Sequence, residues 1–230
     1  MKLEELKQQL EKQLQVGGGI GVAYPTKIFG VDHQQAVFTL TDRATKEQEI
    51  IGSRAEFVLL RAYLQTRVFT MMGVLKYISQ IVLPNEKRNM LELKTSLKWS
   101  EVASSIKDED NVVNILVVPI LLIRNGNYEK YIAEFKGIIL KNLIDFRANE
   151  KLNNLNGLIL NVELKKRDLK IRKYAELEVI AFRKLLDEKD EKLFQVAYDW
   201  LTEFEDWRKK YDVVQALSNE TEEIEIPAEW

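Results

Sequence analysis

Leu3, Leu6, Leu10 and Leu14 recur at spacings of three and four, which predicts an amphipathic helix over residues 2–15. Gly17-Gly18-Gly19 then interrupts the pattern as a hinge. Beyond Pro25 the period shortens to two, and residues 27–31, 35–41 and 49–60 read as strands. From Phe57 to Thr70 there is neither Gly nor Pro, so this stretch reads as one extended strand. Residues 74–83 form the next strand, ended by Pro84-Asn85, and residues 98–107 form a short helix. Asn125-Gly126 separates an apolar run (112–124) from a second strand (127–136). Both residues tolerate positive φ, so the pair predicts a type I′ hairpin that places Leu116 near Phe135. Helical spacing returns over Ile138–Phe146. Strands at about 158–165 and 169–182 flank a charged Lys165–Asp168 turn. A closing helix from about Asp190 to Tyr211 aligns Leu193, Ala197, Trp200, Leu201, Phe204, Trp207 and Tyr211 on one face.

Strands in succession, few helices and no βαβ alternation predict an α+β, mainly antiparallel fold. An OB-like barrel or twisted sheet with an N-terminal helical arm and a C-terminal helix fits this order. The expected organisation is an arm (1–16), a single core domain (20–212) and an acidic tail (213–230).

Composition narrows the chemistry. The 230 residues contain no cysteine and one histidine, His33. Disulfide scaffolds, thiolate metal sites and Cys nucleophiles are excluded, and a Ser-His-Asp triad has only His33 to draw on. His33 reads as a surface turn residue beside Asp32. The charged N-terminus does not resemble a signal peptide, and the longest apolar run, Ile115–Ile123, is short of a membrane span. A cytoplasmic location and no membrane partner follow as expectations.

The net charge of −2 conceals segregation. Residues 61–98 hold seven bases and two acids, and residues 126–184 hold thirteen bases and eight acids. Residues 185–219 are acidic, and Glu220–Trp230 carries five carboxylates and no base. Basic segments followed by an acidic end point toward a polyanionic partner. On the predicted strand 57–70, one face carries Val58, Leu60, Ala62, Leu64, Thr66 and Val68. The other carries Phe57, Leu59, Arg61, Tyr63, Gln65, Arg67 and Phe69. Cations along a backbone track and rings for base stacking are what single-stranded nucleic acid requires. Lys76-Tyr77, Lys98-Trp99, Lys130-Tyr131 and Phe135-Lys136 continue the pattern. The candidate contact residues are therefore Arg61, Tyr63, Arg67, Phe69, Lys76, Tyr77, Lys98, Trp99, Lys130, Tyr131 and Lys136. The alternative is a sheet in which the rings lie under a second layer and the arginines pair with acids.

The tail, with Glu222, Glu223, Glu225, an Ile226-Pro227 step and terminal Trp230, resembles the acidic tails of bacterial and phage single-stranded-DNA-binding proteins. It departs from them in ending with Trp and in lacking a preceding Gly/Gln-rich linker. The resemblance implies DNA binding in replication or recombination, with Glu222, Glu223, Glu225 and Trp230 offered to replication proteins. It implies no cofactor and no metal. The N-terminal arm would serve homo-oligomer contacts.

Two readings from other classes stand beside it. A phage structural or assembly protein would use the arm and the aromatic closing helix for subunit contacts. A Mg-dependent PD-(D/E)xK-type nuclease would use one of three Glu-x-Lys pairs, Glu92/Lys94, Glu134/Lys136 or Glu163/Lys165. Mg²⁺ requires several hard oxygen ligands, and no Asp stands at the preceding position for any pair. Asp108-Glu109-Asp110 reads as a solvated loop.

Overall fold

A computed structural model describes Glu4, Glu5, Lys7, Gln8, Leu10, residues 27–42, Thr45, 47–84, Glu86, 89–92, 95–169 and 172–218. The fold is α+β, with a mostly antiparallel, open sheet. The strands are β1 (Lys27–Asp32), β2 (Val37–Asp42), β3 (Gln48–Gly52), β4 (Arg54–Leu59), β5 (Tyr63–Phe69) and β6 (Leu75–Ser79). They continue with β7 (Asn89–Glu92), β8 (Thr95–Lys98), β9 (Asn111–Arg124), β10 (Asn127–Phe135), β11 (Leu158–Leu169) and β12 (Arg172–Lys184). The helices are α1 (Trp99–Ser105), α2 (Gly137–Asn149) and α3 (Glu191–Ser218). No helix among the described residues is long and apolar enough to cross a membrane.

The chain forms two compact units, residues 1–62 with 116–207 and residues 63–115 with 208–230. In the first unit the strand order is β3-β2-β1-β10-β9-β4-β11-β12, with β1–β10 the parallel pair. The predicted hairpin is present: Asn125 and Gly126 have φ of 53° and 73°, and Phe135 pairs with Leu116. Phe29, Phe38, Phe57 and Phe135 form the centre of this unit's core, with ring centroids 5.2–6.2 Å apart. On α3, Leu193, Ala197, Trp200, Leu201 and Phe204 are buried as the periodicity predicts. The Trp200 indole donates to the carbonyls of Ile120 and Tyr131, at 3.1 and 3.2 Å. Leu10 is buried, and the Lys7 ammonium lies 5.3 Å from the Phe194 ring centroid. The Gly17–Gly19 break lies outside the described residues.

In the second unit β5, β6, β7 and β8 are antiparallel neighbours. Val68, Tyr77 and Val102 form a buried cluster under α1.

The strand expected over 57–70 is two strands, a correction whose cause lies in partners distant in sequence. The ladder stops at Leu59, and the next backbone groups find partners outside it. Leu60 N donates to Pro119 O at 3.1 Å, and Ala62 N to Asn156 Oδ1 at 3.0 Å. Gly157 N donates to the carbonyls of Leu59 and Leu60. Proline has no N–H to give a ladder, so Pro119 marks where β9 leaves its pairing with β4 over Ile120–Leu122. The segment expected over 49–60 is likewise divided, at Ser53, after Gly52 (φ +123°) ends β3.

Candidate nucleic-acid interface

The division after Leu59 changes the surroundings of the predicted contact residues. Arg61 is 4% exposed, and its Nη1 lies 3.3 Å from Oε1 of Glu205, itself 3% exposed. Tyr63 is fully buried, with the Arg208 guanidinium 5.3 Å from its ring centroid. Arg67 is half-buried and donates through Nε and Nη2 to Gln65 Oε1 at 3.0 and 2.8 Å. Phe69 is half-buried. Tyr77 is buried and shares a hydrogen bond with Ser105 Oγ at 2.9 Å. Lys76 pairs with Asp110 at 2.9 Å and donates to Ser105 O at 3.2 Å. The hydrogen bond to Asp110 is the main reason the ammonium's pKa is raised. The hydrogen bond from Lys107 N, followed by that from Lys76, holds the Asp110 carboxyl below the ordinary carboxylate value.

Lys130 pairs with Glu203 at 2.8 Å. Tyr131 is at the edge of burial, its hydroxyl donates to Glu129 Oε2 at 2.7 Å, and burial pushes its pKa up. Lys98 and Lys136 are exposed, and Trp99 is 38% exposed. Glu222, Glu223, Glu225 and Trp230 lie outside the described residues. The structure therefore does not gather the predicted set onto one open surface. Arg61, Tyr63, Tyr77 and Tyr131 are packing residues here, and Lys98, Trp99 and Lys136 are open to solvent.

A different concentration of charge is open in the first unit. β11 and β12 pair along their whole length, from Leu158↔Lys184 to Leu169↔Arg172. On its other edge β11 pairs with β4 only as far as Glu163↔Arg54, because β4 begins there. One further bond, Leu164 N to Ser53 O at 2.8 Å, closes that edge. From Lys165 onward the described chain is a two-stranded ribbon. Its root is anchored on one face, where Leu164, Ala175 and Leu177 are buried. Leu177 N donates to Asn142 Oδ1 on α2 at 3.1 Å, and Ala175 N to His33 Nδ1 at 3.4 Å. His33 thus sits in the predicted turn, where Asp32 Oδ1 accepts from the Gln34 and Gln35 amides.

The ribbon's other face carries Lys165, Arg167 and, opposite Arg167, Tyr174. Lys165 pairs with Glu178, and Arg167 Nε with Glu176 Oε2 at 2.6 Å. That hydrogen bond is the main reason the Arg167 pKa is raised. Lys166 is exposed and makes no ion pair among the described residues. Residues 165–173 hold six bases and one acid, and Arg172 and Lys173 occupy register positions opposite Leu169 and Asp168. So dense a charged run as Lys165–Asp168 looks like a turn in the sequence. β11 runs on past the predicted end at 165 and carries these residues instead, and β12 begins at Arg172. Alternation of charge and ring across the pair, rather than along one strand, was the signal available.

Of the Glu-x-Lys pairs, Glu163 is bound to Arg54 at 2.9 Å, Glu134 is half-buried, and Lys94 lies outside the described residues. Among the described residues no three acids or histidines are grouped to hold a metal ion. No known protein family, curated relative or solved structure matches the chain.

Proposed function

We propose that this chain is a non-catalytic protein that binds single-stranded nucleic acid, with the β11–β12 ribbon as its main contact. The observation that carries the reading is the ribbon's extension past β4, with exposed Lys165, Lys166 and Arg167 and half-buried Tyr174 on it. Exposed cations attract backbone phosphates and release their counterions. A ring among those cations gives a base a face to stack on, worth roughly 1–3 kcal/mol per base. Exposed Lys98 and Trp99 repeat that chemistry in the second unit. The curled sheet, with Phe57 of β4 packed on Phe29 of β1, suits an OB-like platform. Little base specificity is expected, since phosphate and stacking contacts carry little sequence information. The acidic tail and the resemblance it carries support a role in replication or recombination, with the tail offered to partner proteins.

Fluorescence anisotropy with labelled dT and rU oligomers and a DNA duplex, over a salt series, tests this. Single strands should bind more tightly than duplex. Lys166→Glu with Arg167→Glu should weaken binding at least tenfold at low salt and flatten the salt slope, by about 0.7 for each phosphate no longer neutralised. Equal single-strand and duplex affinities, or an unaffected double variant, would refute the proposal.

A further inference from the structure

The β5–β6 turn of the second unit displays three apolar side chains to solvent. Met71 is 80% exposed, Met72 85% and Val74 61%. The turn is fastened by its backbone: Thr70 N donates to Val74 O at 2.8 Å and Gly73 N to Thr70 O at 2.9 Å. Val74 N reaches Thr70 Oγ1 at 3.2 Å, and Gly73 takes a φ of +80°. A contiguous apolar group on a fastened turn is a contact surface rather than scattered exposure. Methionine, unbranched and polarizable, adapts to the pocket it meets.

The first unit offers a matching recess. An open cleft of about 430 Å³ is lined by Ile51, Ile123 and Ile180 together with Arg54, Glu56 and Arg124. Its volume lies in the range of sites that take compact apolar groups. Arg54 donates through Nε to Glu163, its side chain is 73% exposed, and its terminal nitrogens have no partner among the described residues. Near the base of the Met turn, Lys76 bonds Asp110, which follows exposed Asp108 and Glu109 in the chain, with Glu109 3.9 Å from Lys107. An apolar knob beside acids and an apolar recess with an open guanidinium are complementary in polarity and charge.

We infer that the Met71–Met72 turn of one copy docks in the Ile51/Ile123/Ile180 cleft of a second copy, with Arg54 receiving Asp108 or Glu109. The contact joins two different surfaces, so a reciprocal pair of contacts gives a dimer and a one-way contact gives a longer chain. Three side chains cover far less than the roughly 800 Å² per partner of a stable interface, so the association is weak and concentration-dependent.

The chain lacks cysteine, which permits a direct test with single cysteines at exposed positions. Met72→Cys and Ile180→Cys chains are mixed at high concentration without nucleic acid and oxidised mildly. The mixture should give disulfide-linked heterodimer at least several-fold above either variant alone. Sedimentation of the unaltered chain should show average mass rising with concentration, and Met72→Ser should abolish the rise. Cross-linking confined to Met72→Cys alone would make the contact tip-to-tip and overturn the inference. No heterodimer enrichment, or a mass independent of concentration, would do the same. Neither readout involves nucleic acid, so the inference and the proposed function fail separately.

Discussion

Replacing Arg61 by alanine separates a structural cation from a phosphate ligand. In the structure Arg61 and Glu205 are 4% and 3% exposed and meet at 3.3 Å. At an effective dielectric of about 20, charges at that distance attract by about 5 kcal/mol. Desolvation costs several kcal/mol per ion, so the intact pair contributes little net stability. Removing one partner is different, because the Glu205 carboxylate stays buried with one cation fewer, and breaking such a pair costs about 3–5 kcal/mol. Arg61→Ala should therefore lower the urea midpoint of the first unit steeply, with the slope of the transition unchanged. Arg61→Met combined with Glu205→Leu should restore most of that stability, since both charges of the pair are then gone. Binding of a dT oligomer, measured where the variant is still folded, should keep its salt slope. A phosphate contact at Arg61 would instead reduce that slope by about 0.7 while leaving stability nearly intact. A destabilisation below about 1 kcal/mol, together with a reduced slope, would refute the buried-pair account and return Arg61 to the interface.

Two further outcomes follow from local geometry. Asp190 caps α3 by accepting Leu193 N at 3.1 Å and also accepts the Tyr128 hydroxyl. Asp190→Ala should cost about 1 kcal/mol for the cap alone, with Asp190→Asn milder, read by urea unfolding. Tyr128 is pushed up to about 12, by burial first and Asp190 second. Its absorbance titration should therefore fall only part of the way back toward the ordinary tyrosine value in Asp190→Asn; no change would show that the hydroxyl does not bond this carboxylate. In the second unit, Asp110 has a folded pKa below its ordinary value, so its contribution is complete above that value and is lost as pH falls through the folded one. Lys76 is raised, and its share is lost only as alkaline pH passes its folded value. Urea midpoints in acid should drop less in Asp110→Asn than in the unaltered chain, and identical acid limbs would contradict the pairing.

Local signals in the sequence translated well where one interaction decides the outcome. Asn125-Gly126 demanded positive φ at both positions and set the register of β9 and β10 down to Phe135↔Leu116. The 3.6-residue period of α3 placed Leu193 through Phe204 inward because a helix has one face to bury. The break at Leu60–Ala62 was not legible, since its causes, Pro119 and Asn156, are distant in sequence. A run without Gly or Pro says that a strand can continue, not that a partner exists for it to pair with.

The same limit governs the candidate interface. Alternating arginine and tyrosine on a strand fits two environments, a wet groove and a layer under an acidic helix. Here Glu205 on α3 supplies the acid that makes burial of Arg61 tolerable, and Arg208 supplies the cation over Tyr63. Neither partner can be inferred from the strand itself. For β11 and β12 the argument runs the other way, because β4 begins at Arg54 and, beyond Leu164, no strand among the described residues pairs with β11 on that edge. A cation is free to meet a ligand where the sheet runs out of strands, and that is a property of topology rather than of composition. The ribbon's charge is partly met by its own glutamates, Glu176 and Glu178, which hold Arg167 and Lys165 in line along one face. Those pairs are exposed and therefore weak, so a phosphate can displace a carboxylate at little cost. Glu176→Gln with Glu178→Gln should consequently tighten single-strand binding at low salt, an effect that fades as salt screens both contacts. Unchanged affinity in that variant would mean that the cations on this face do not reach the strand, and Lys166 with the tip positions would have to carry the contact alone.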